Sequence, residues 1–265
     1  MSDTQPVLLD VTPGELAVVT INRPEKKNAF DRETINQLAE TLDLLAKNTD
    51  EVRIVMLRGA GDIFCAGGDL NWMKNAAGYT REQNIEDAEA LAGMLYKLFH
   101  LPQLTIALVT GAAMGGGSGL VAACDVAIAV KNTKFSFSEV KLGLTPATIS
   151  PFVVRAIGPR WAKALFATAE SFDAQFAHLI GLVQYVVSDT AELDEMAEYV
   201  AKLGFGAAPG AIADAKKLVD DVFEHDISHG LMGDLAKRIA NRRASEEGQE
   251  GLSAFLEKRK PDWVG

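Results

Sequence analysis

The chain has 265 residues, 48% hydrophobic and 23% charged, with a formal net charge of −10. That is enough for one large soluble domain or two small ones, and the acidic balance argues against nucleic acid or an anionic membrane surface as a partner. The start is polar, no apolar run approaches a membrane span, and Cys65, Cys124 and the four histidines show no metal-ligand spacing. The expectation is a cytoplasmic chain with reduced thiols and no metal site.

Two strands are expected at 7–11 and 16–21, joined by a turn at Pro13-Gly14. Residues 22–30 read as a loop containing Lys26 and Lys27. Asp31 can cap a helix whose apolar residues Ile35, Leu38, Leu42 and Leu45 recur on one face. A strand follows at 53–57, then the small-residue loop Ile63-Phe64-Cys65-Ala66-Gly67-Gly68-Asp69-Leu70, then a long amphipathic helix over 81–98. Residues 104–109 form an apolar run that reads as a buried strand. Residues 111–119 follow as a glycine-rich turn, and 120–124 as a small-residue helix. Strands at 125–130 and 135–137 precede a short turn at 138–146, ended by Gly143 and Pro146. From Ser150 the chain reads as mainly helical, with one strand at 183–187 and late helices at 189–203, 211–223, 231–241 and 252–258.

The alternation of strand, loop and helix predicts an α/β layer architecture with functional loops at strand ends. The expected division is a core over 1–203 and a C-terminal helical region over 204–265.

The run Gly115-Gly116-Gly117 lies between a buried strand and a helix. Without side chains, the backbone N–H groups at that helix start are bare and carry the positive end of the helix dipole. Such a turn can receive an anion or a polarised carbonyl oxygen. Taken alone, a glycine run more often means close strand–helix packing. It is not a P-loop, because no Lys-Ser or Lys-Thr pair follows, and Leu120 breaks the Gly-x-Gly-x-x-Gly spacing.

Several motifs together resemble the crotonase (enoyl-CoA hydratase/isomerase) superfamily. They are Phe64-Cys65-Ala66-Gly67-Gly68-Asp69-Leu70, Met114-Gly115-Gly116-Gly117, Cys124-Asp125, residues 135–144 from Phe135 through Glu139 to Leu144, and residues 250–259 from Glu250 to Arg259. They occur in the family order and span about residues 21–259. The resemblance implies a spiral of ββα units with a C-terminal helical region, and trimers or pairs of trimers. It implies an acyl-CoA thioester as substrate, with coenzyme A arriving as part of it and no separate cofactor. It places backbone donors for the thioester oxygen at Ala66 and Gly116, and a catalytic carboxylate at Glu139. Outside this context Glu139 would read equally well as a helix-start carboxylate. The resemblance further places Gly68, Asp69, Leu70, Lys26 and Lys27 at the CoA, with Phe255 and Lys258 reaching it from the C-terminal region, by one reading across a subunit boundary. For the two lysines a solvated surface charge is an equal alternative, and Phe255 could instead be a packing residue.

One departure matters. Hydratases of the family typically carry a second glutamate where this chain has Gly119, and some isomerases of the family lack it too. Gly119 therefore leaves double-bond isomerisation by Glu139 alone as an alternative to hydration, and suggests extra room for a branched acyl group. Residues 115–121 and 138–154 look most like bacterial methylglutaconyl-CoA and isohexenylglutaconyl-CoA hydratases, of leucine and acyclic terpene breakdown. Their substrates carry a free carboxylate, for which Lys141, Arg155, Lys74 and Arg81 are candidate partners. A non-catalytic RNA-binding role, known for one relative, gets no support from an acidic chain without a basic stripe.

Overall fold

The computed structural model of the chain describes residues 5–223 and 225–264. Its main sheet has six strands in the order β1 (Val7–Val11), β2 (Leu16–Ile21), β3 (Ile54–Gly59), β4 (Leu104–Val109), β6 (Val126–Val130) and β9 (Tyr185–Val187). Only β1 runs antiparallel to its neighbour; every later pairing is parallel, with Ile54 opposite Leu104 and Ile106 opposite Val126. A smaller sheet contains β5 (Ala112–Met114), β7 (Lys134–Ser136) and β8 (Phe172–Asp173).

Parallel strands covered on both faces carry continuous apolar runs rather than alternation. Ile54-Val55-Met56-Leu57 on β3 is such a run, and all four side chains are buried. One face of the sheet packs on α1 (Arg32–Lys47), α3 (Arg81–Phe99), α4 (Gly116–Ala123) and α5 (Ser150–Thr168). The other face, through Ile54, Met56, Ile106, Leu108 and Ile128, is covered by Leu193, Ala197, Val200 and Ala201 of α7 (Thr190–Phe205). Local chemistry starts the helices as expected: Asp31 caps α1 by accepting from Thr34 N at 2.9 Å. Thr80 and Gln83 form a reciprocal capping box on α3.

Each main-sheet strand of the middle of the chain is followed by a short strand or bridge of the second layer and then by a helix. After β3, Cys65 bridges to Ala113 and α2 (Leu70–Ala76) follows; after β4 come β5 and α4; after β6 come β7 and α5. This is the repeated ββα unit expected from the resemblance.

Four details differ from the sequence reading. The segment 111–119 is not a plain turn, because β5 pairs with β7 within it. Helix α4 begins at Gly116, not at residue 120, because Gly119 N closes its first turn on Gly115 O at 3.1 Å. Helix α5 is broken at Gly158 (φ 73°), with Pro159 restarting it. Strand β8, ahead of the short helix α6 (Ala174–Leu179), adds a second strand to the stretch read as mainly helical with one strand at 183–187.

The last three helices are α8 (Pro209–Phe223), α9 (His229–Ala244) and α10 (Glu246–Glu257). Among their described residues only Ala254 is buried. Ile227 and Phe255 are 89% and 80% exposed.

Candidate active site

The two small-residue loops are hydrogen-bonded to each other. Phe64 N donates to Thr110 O at 2.9 Å, Cys65 N to Ala112 O at 3.0 Å, and Met114 N back to Cys65 O at 3.0 Å. Phe30 joins them from a third direction. Its N–H donates to Gly67 O at 2.7 Å and its carbonyl accepts from Asp69 N at 2.6 Å, while a methyl group on Gly116 would stand 2.7 Å from its ring. Loop 63–69 and the start of α4 are thus fixed against one another at the C-terminal ends of β3 and β4, the end of a parallel sheet where ligands bind.

From Phe64 to Asp69 every backbone N–H but one is engaged. Ala66 N donates to Lys27 O at 3.0 Å and Gly67 N to Cys65 Sγ at 3.4 Å. Gly68 N–H alone has no partner among the described residues. The expectation that Ala66 supplies a donor is therefore corrected: its N–H holds the loop to Lys27, and the free donor lies two residues on, at Gly68. On the other loop Gly115 N donates to Ser136 O at 2.8 Å. The next N–H groups are the orphan donors of a helix start. Gly117 and Ser118 are buried there, while Gly116 is half-buried. Of these, Gly116, the residue expected to supply a donor, is the more accessible.

Glu139 opens a single 3₁₀ turn, Glu139–Leu142, which Gly143 ends at φ 73°. A side chain on Gly115 would place its first carbon 3.2 Å from Glu139 Oε1, so the carboxylate lies directly over the start of α4. Gly115 itself sits at φ 49°, where a side chain would also be strained. Glu139 Oε2 is buried without a hydrogen-bond partner. Burial pushes its carboxyl above the ordinary value, only partly offset by its own backbone N–H. A carboxyl shifted upward beside two free N–H donors is equipped to move a proton while the donors hold an oxyanion.

Other expected residues divide into supports and rim. Asp69 is not available to a ligand, which corrects its expected place at the CoA. Its Oδ1 accepts from Asn71 N at 2.8 Å and Trp72 N at 3.3 Å, capping α2, and its Oδ2 pairs with Arg23 at 3.2 Å. Burial opposes its charge, but those N–H groups and Arg23 outweigh burial and hold its carboxyl below the ordinary value of 3.8. Asp69→Ala is expected to cost about 1–2 kcal/mol through the lost cap. A depressed carboxyl stabilises above its ordinary value and ceases to as pH falls. The difference in Tm from the parent should thus be full at neutral pH and shrink in acid, which paired melts would check.

Leu70 is 82% exposed beside Gly68. Lys26 and Lys27 are exposed next to loop 63–69. Phe255 and Lys258 end α10, both exposed. Of the candidate partners for an acyl carboxylate, Arg155 is engaged elsewhere, 3.6 Å from Asp220 and against the rings of Phe99 and Phe223. Lys141, Lys74 and Arg81 are exposed.

Gly119 does not open the room expected of it. The first side-chain carbon there would stand 2.9 Å from Ile149 Cβ and closer still to its Cγ2. Ile149, which precedes α5, fills the place.

Three supports escaped the sequence reading. Arg23 reaches Ala29 O, Asp31 (2.7 Å) and Asp69 (3.2 Å), tying the caps of α1 and α2 together. Asn28 is buried at φ 56° and donates to Ala60 O and Ile63 O at 2.8 and 2.6 Å. Asn is the side chain best suited to that left-handed geometry, so Asn28 after two lysines was a usable signal. Phe30 had none, because its role depends on contacts distant in sequence. A separate cavity of about 240 Å³, lined by Arg53, Gln103, Gly210 and Glu247 among others, lies at the opposite ends of β3 and β4 and holds none of these donors.

Two unpaired backbone N–H groups and a half-buried carboxyl thus stand on interlocked loops, an arrangement able to support acid–base chemistry next to a carbonyl. The chain belongs to the enoyl-CoA hydratase/isomerase family, of the crotonase superfamily, whose pattern matches residues 12–265. A solved enoyl-CoA hydratase from Shewanella pealeana superposes with a TM-score of 0.94 at 39% identity, covering 97% of this chain and 96% of its own. Pseudomonas aeruginosa AtuE superposes with a TM-score of 0.93 at 36% identity, over 98% of this chain and all of its own. The short-chain-enoyl-CoA hydratase of Clostridium acetobutylicum is 33% identical over 253 residues, 93% of each chain.

Proposed function

We propose that this enzyme adds water reversibly to the α,β double bond of an acyl-CoA thioester. The observation that carries the reading is the pair of unpaired N–H groups at Gly68 and Gly116 on interlocked loops, with the half-buried Glu139 carboxylate, its Oε2 buried and unpartnered among the described residues, over the second. Attack of water at the β-carbon moves charge onto the thioester oxygen, where the two N–H groups receive it. The loss of one such donor typically costs about 10²–10³-fold in rate. Glu139 takes a proton from the attacking water and delivers it to the α-carbon, so hydroxyl and proton both end on the substrate and the carboxylate is regenerated. Coenzyme A belongs to the substrate, and no other cofactor takes part.

We further propose a branched glutaconyl thioester, methylglutaconyl- or isohexenylglutaconyl-CoA, in leucine or acyclic terpene catabolism. The motif likeness at 115–121 and 138–154 supports this, as does a single-carboxylate site that a substrate carboxylate could complement. The exposed apolar side chains of the C-terminal region, Ile227 between α8 and α9 and Phe255 on α10 among them, support self-association as trimers or paired trimers.

A panel of thioesters tests the assignment. Methylglutaconyl-CoA should be hydrated with a kcat/KM at least about 10-fold above crotonyl-CoA, as a charged group recognised at about 1.4 kcal/mol would give. Equal turnover would remove the glutaconyl assignment and leave the hydratase. A glycine rather than an acid at position 119 also favours a second reading, proton transfer between α- and γ-carbons. Turnover of a 3-enoyl-CoA without water uptake would establish it instead.

A further inference from the structure

We infer that Ile149 is the specificity-determining residue that confines this site to one carboxylate. Gly115 caps α4 and Gly119 closes its first turn, with Gly119 N bonded to Gly115 O. A side chain on the cap would meet Glu139 Oε1; one on Gly119, a helical turn on, would meet the β-branched carbons of Ile149. Residue 119 thus lies one turn from the cap that Glu139 covers, close enough for a long acidic side chain to approach that carboxylate. Ile149 is 1% exposed and occupies the volume that any side chain there needs. It opens α5 just behind Pro146 and the 3₁₀ turn that carries Glu139, and both sides of its Cβ are branched, so it has little rotamer freedom with which to move aside. Glycine at 119 and isoleucine at 149 are therefore one device. Changing either alone leaves a clash or a void.

This inference rests on Glu139 as the proton-transfer group, but its steric part can be read without catalysis. Gly119→Glu, Ile149→Ala and the double variant should be compared by thermal melting and by the pH dependence of kcat/KM. Gly119→Glu alone should melt well below the parent. The double variant should melt above Gly119→Glu, although Ile149→Ala by itself also lowers Tm. In the double variant a second carboxylate one helical turn from Glu139 should move the acid limb of the profile upward by about one pH unit, a shift that lost packing alone would not produce. A Gly119→Glu protein as stable as the parent, a double variant no more stable than Gly119→Glu, or a folded double variant with an unmoved acid limb would each overturn the inference. Loss of the Glu139 reading would show separately, as full activity in Glu139→Gln with the melting coupling intact.

Discussion

Glu139→Gln should lower kcat by about 10²–10⁴-fold, the usual contribution of a positioned acid–base group, while the protein stays folded. The substitution keeps the shape of the side chain over the start of α4 and removes only its capacity to exchange a proton. KM should change little, because the donors at Gly68 and Gly116 are main-chain groups that do not depend on residue 139. The outcome that would sink the assignment is hydration at the parental rate.

The same variant carries a stability signature whose sign is fixed by burial. Glu139 is held above its ordinary value of 4.5 because the folded protein disfavours its charged form. In the unfolded chain it ionises at the ordinary value. Its contribution to folding is therefore fully present below that pH and is lost as pH rises through the folded value. The glutamine does not titrate. Relative to Glu139→Gln, the parent should melt higher in acid than it does at neutral pH, and the difference between the two melting gaps is the observable. A gap that does not vary with pH would mean that the carboxylate has a stabilising partner. In catalysis the same shift moves the onset of hydration upward, since the carboxylate form must accept the proton of water.

The distribution of what could be read from the chain has a physical cause. Covered parallel strands declare themselves as apolar runs, and so β4 was legible residue by residue and β3 to within two residues at its end. Caps are local, and so Asp31 was legible too. Which N–H of loop 63–69 is free was not. That depends on Thr110 O, Ala112 O, Lys27 O, Cys65 Sγ and Phe30 O claiming the others, and four of these five partners lie more than 30 residues away. Motif likeness pointed to this loop, and the hydrogen bonds move the unpaired N–H from Ala66 to Gly68. Gly119 shows the converse limit. A missing side chain looks like space in a sequence, but close packing fills such space from elsewhere, here with Ile149.

Arg53→Ala should be the most damaging single change away from the site. Arg53 precedes β3, at the opposite end of that strand from loop 63–69, and is 7% exposed. Its guanidinium donates to Trp263 O and Ala207 O at 2.8 Å and to Phe205 O at 3.0 Å, pairs with Glu15 at 3.2 Å, and lies over the Phe205 ring. One side chain thus ties the β1–β2 turn, the end of α7 and the C-terminal tail to the start of the main sheet. Truncation leaves three carbonyls that had accepted from a charged donor, at a cost of roughly 3–5 kcal/mol. For a chain of this size each kcal/mol lowers Tm by about 2–4 °C, so a drop of roughly 6–20 °C is expected. Arg53→Lys should recover less than half of it, because an ammonium cannot present the planar fork that reaches all three carbonyls. Limited proteolysis should then cut first within 204–264, the region that the clamp holds. Protein kept cold and folded should retain its kcat, since Gly68, Gly116 and Glu139 lie at the other end of the strands. A variant melting within about 2 °C of the parent would show that these contacts are redundant with the apolar packing of α7 on the sheet.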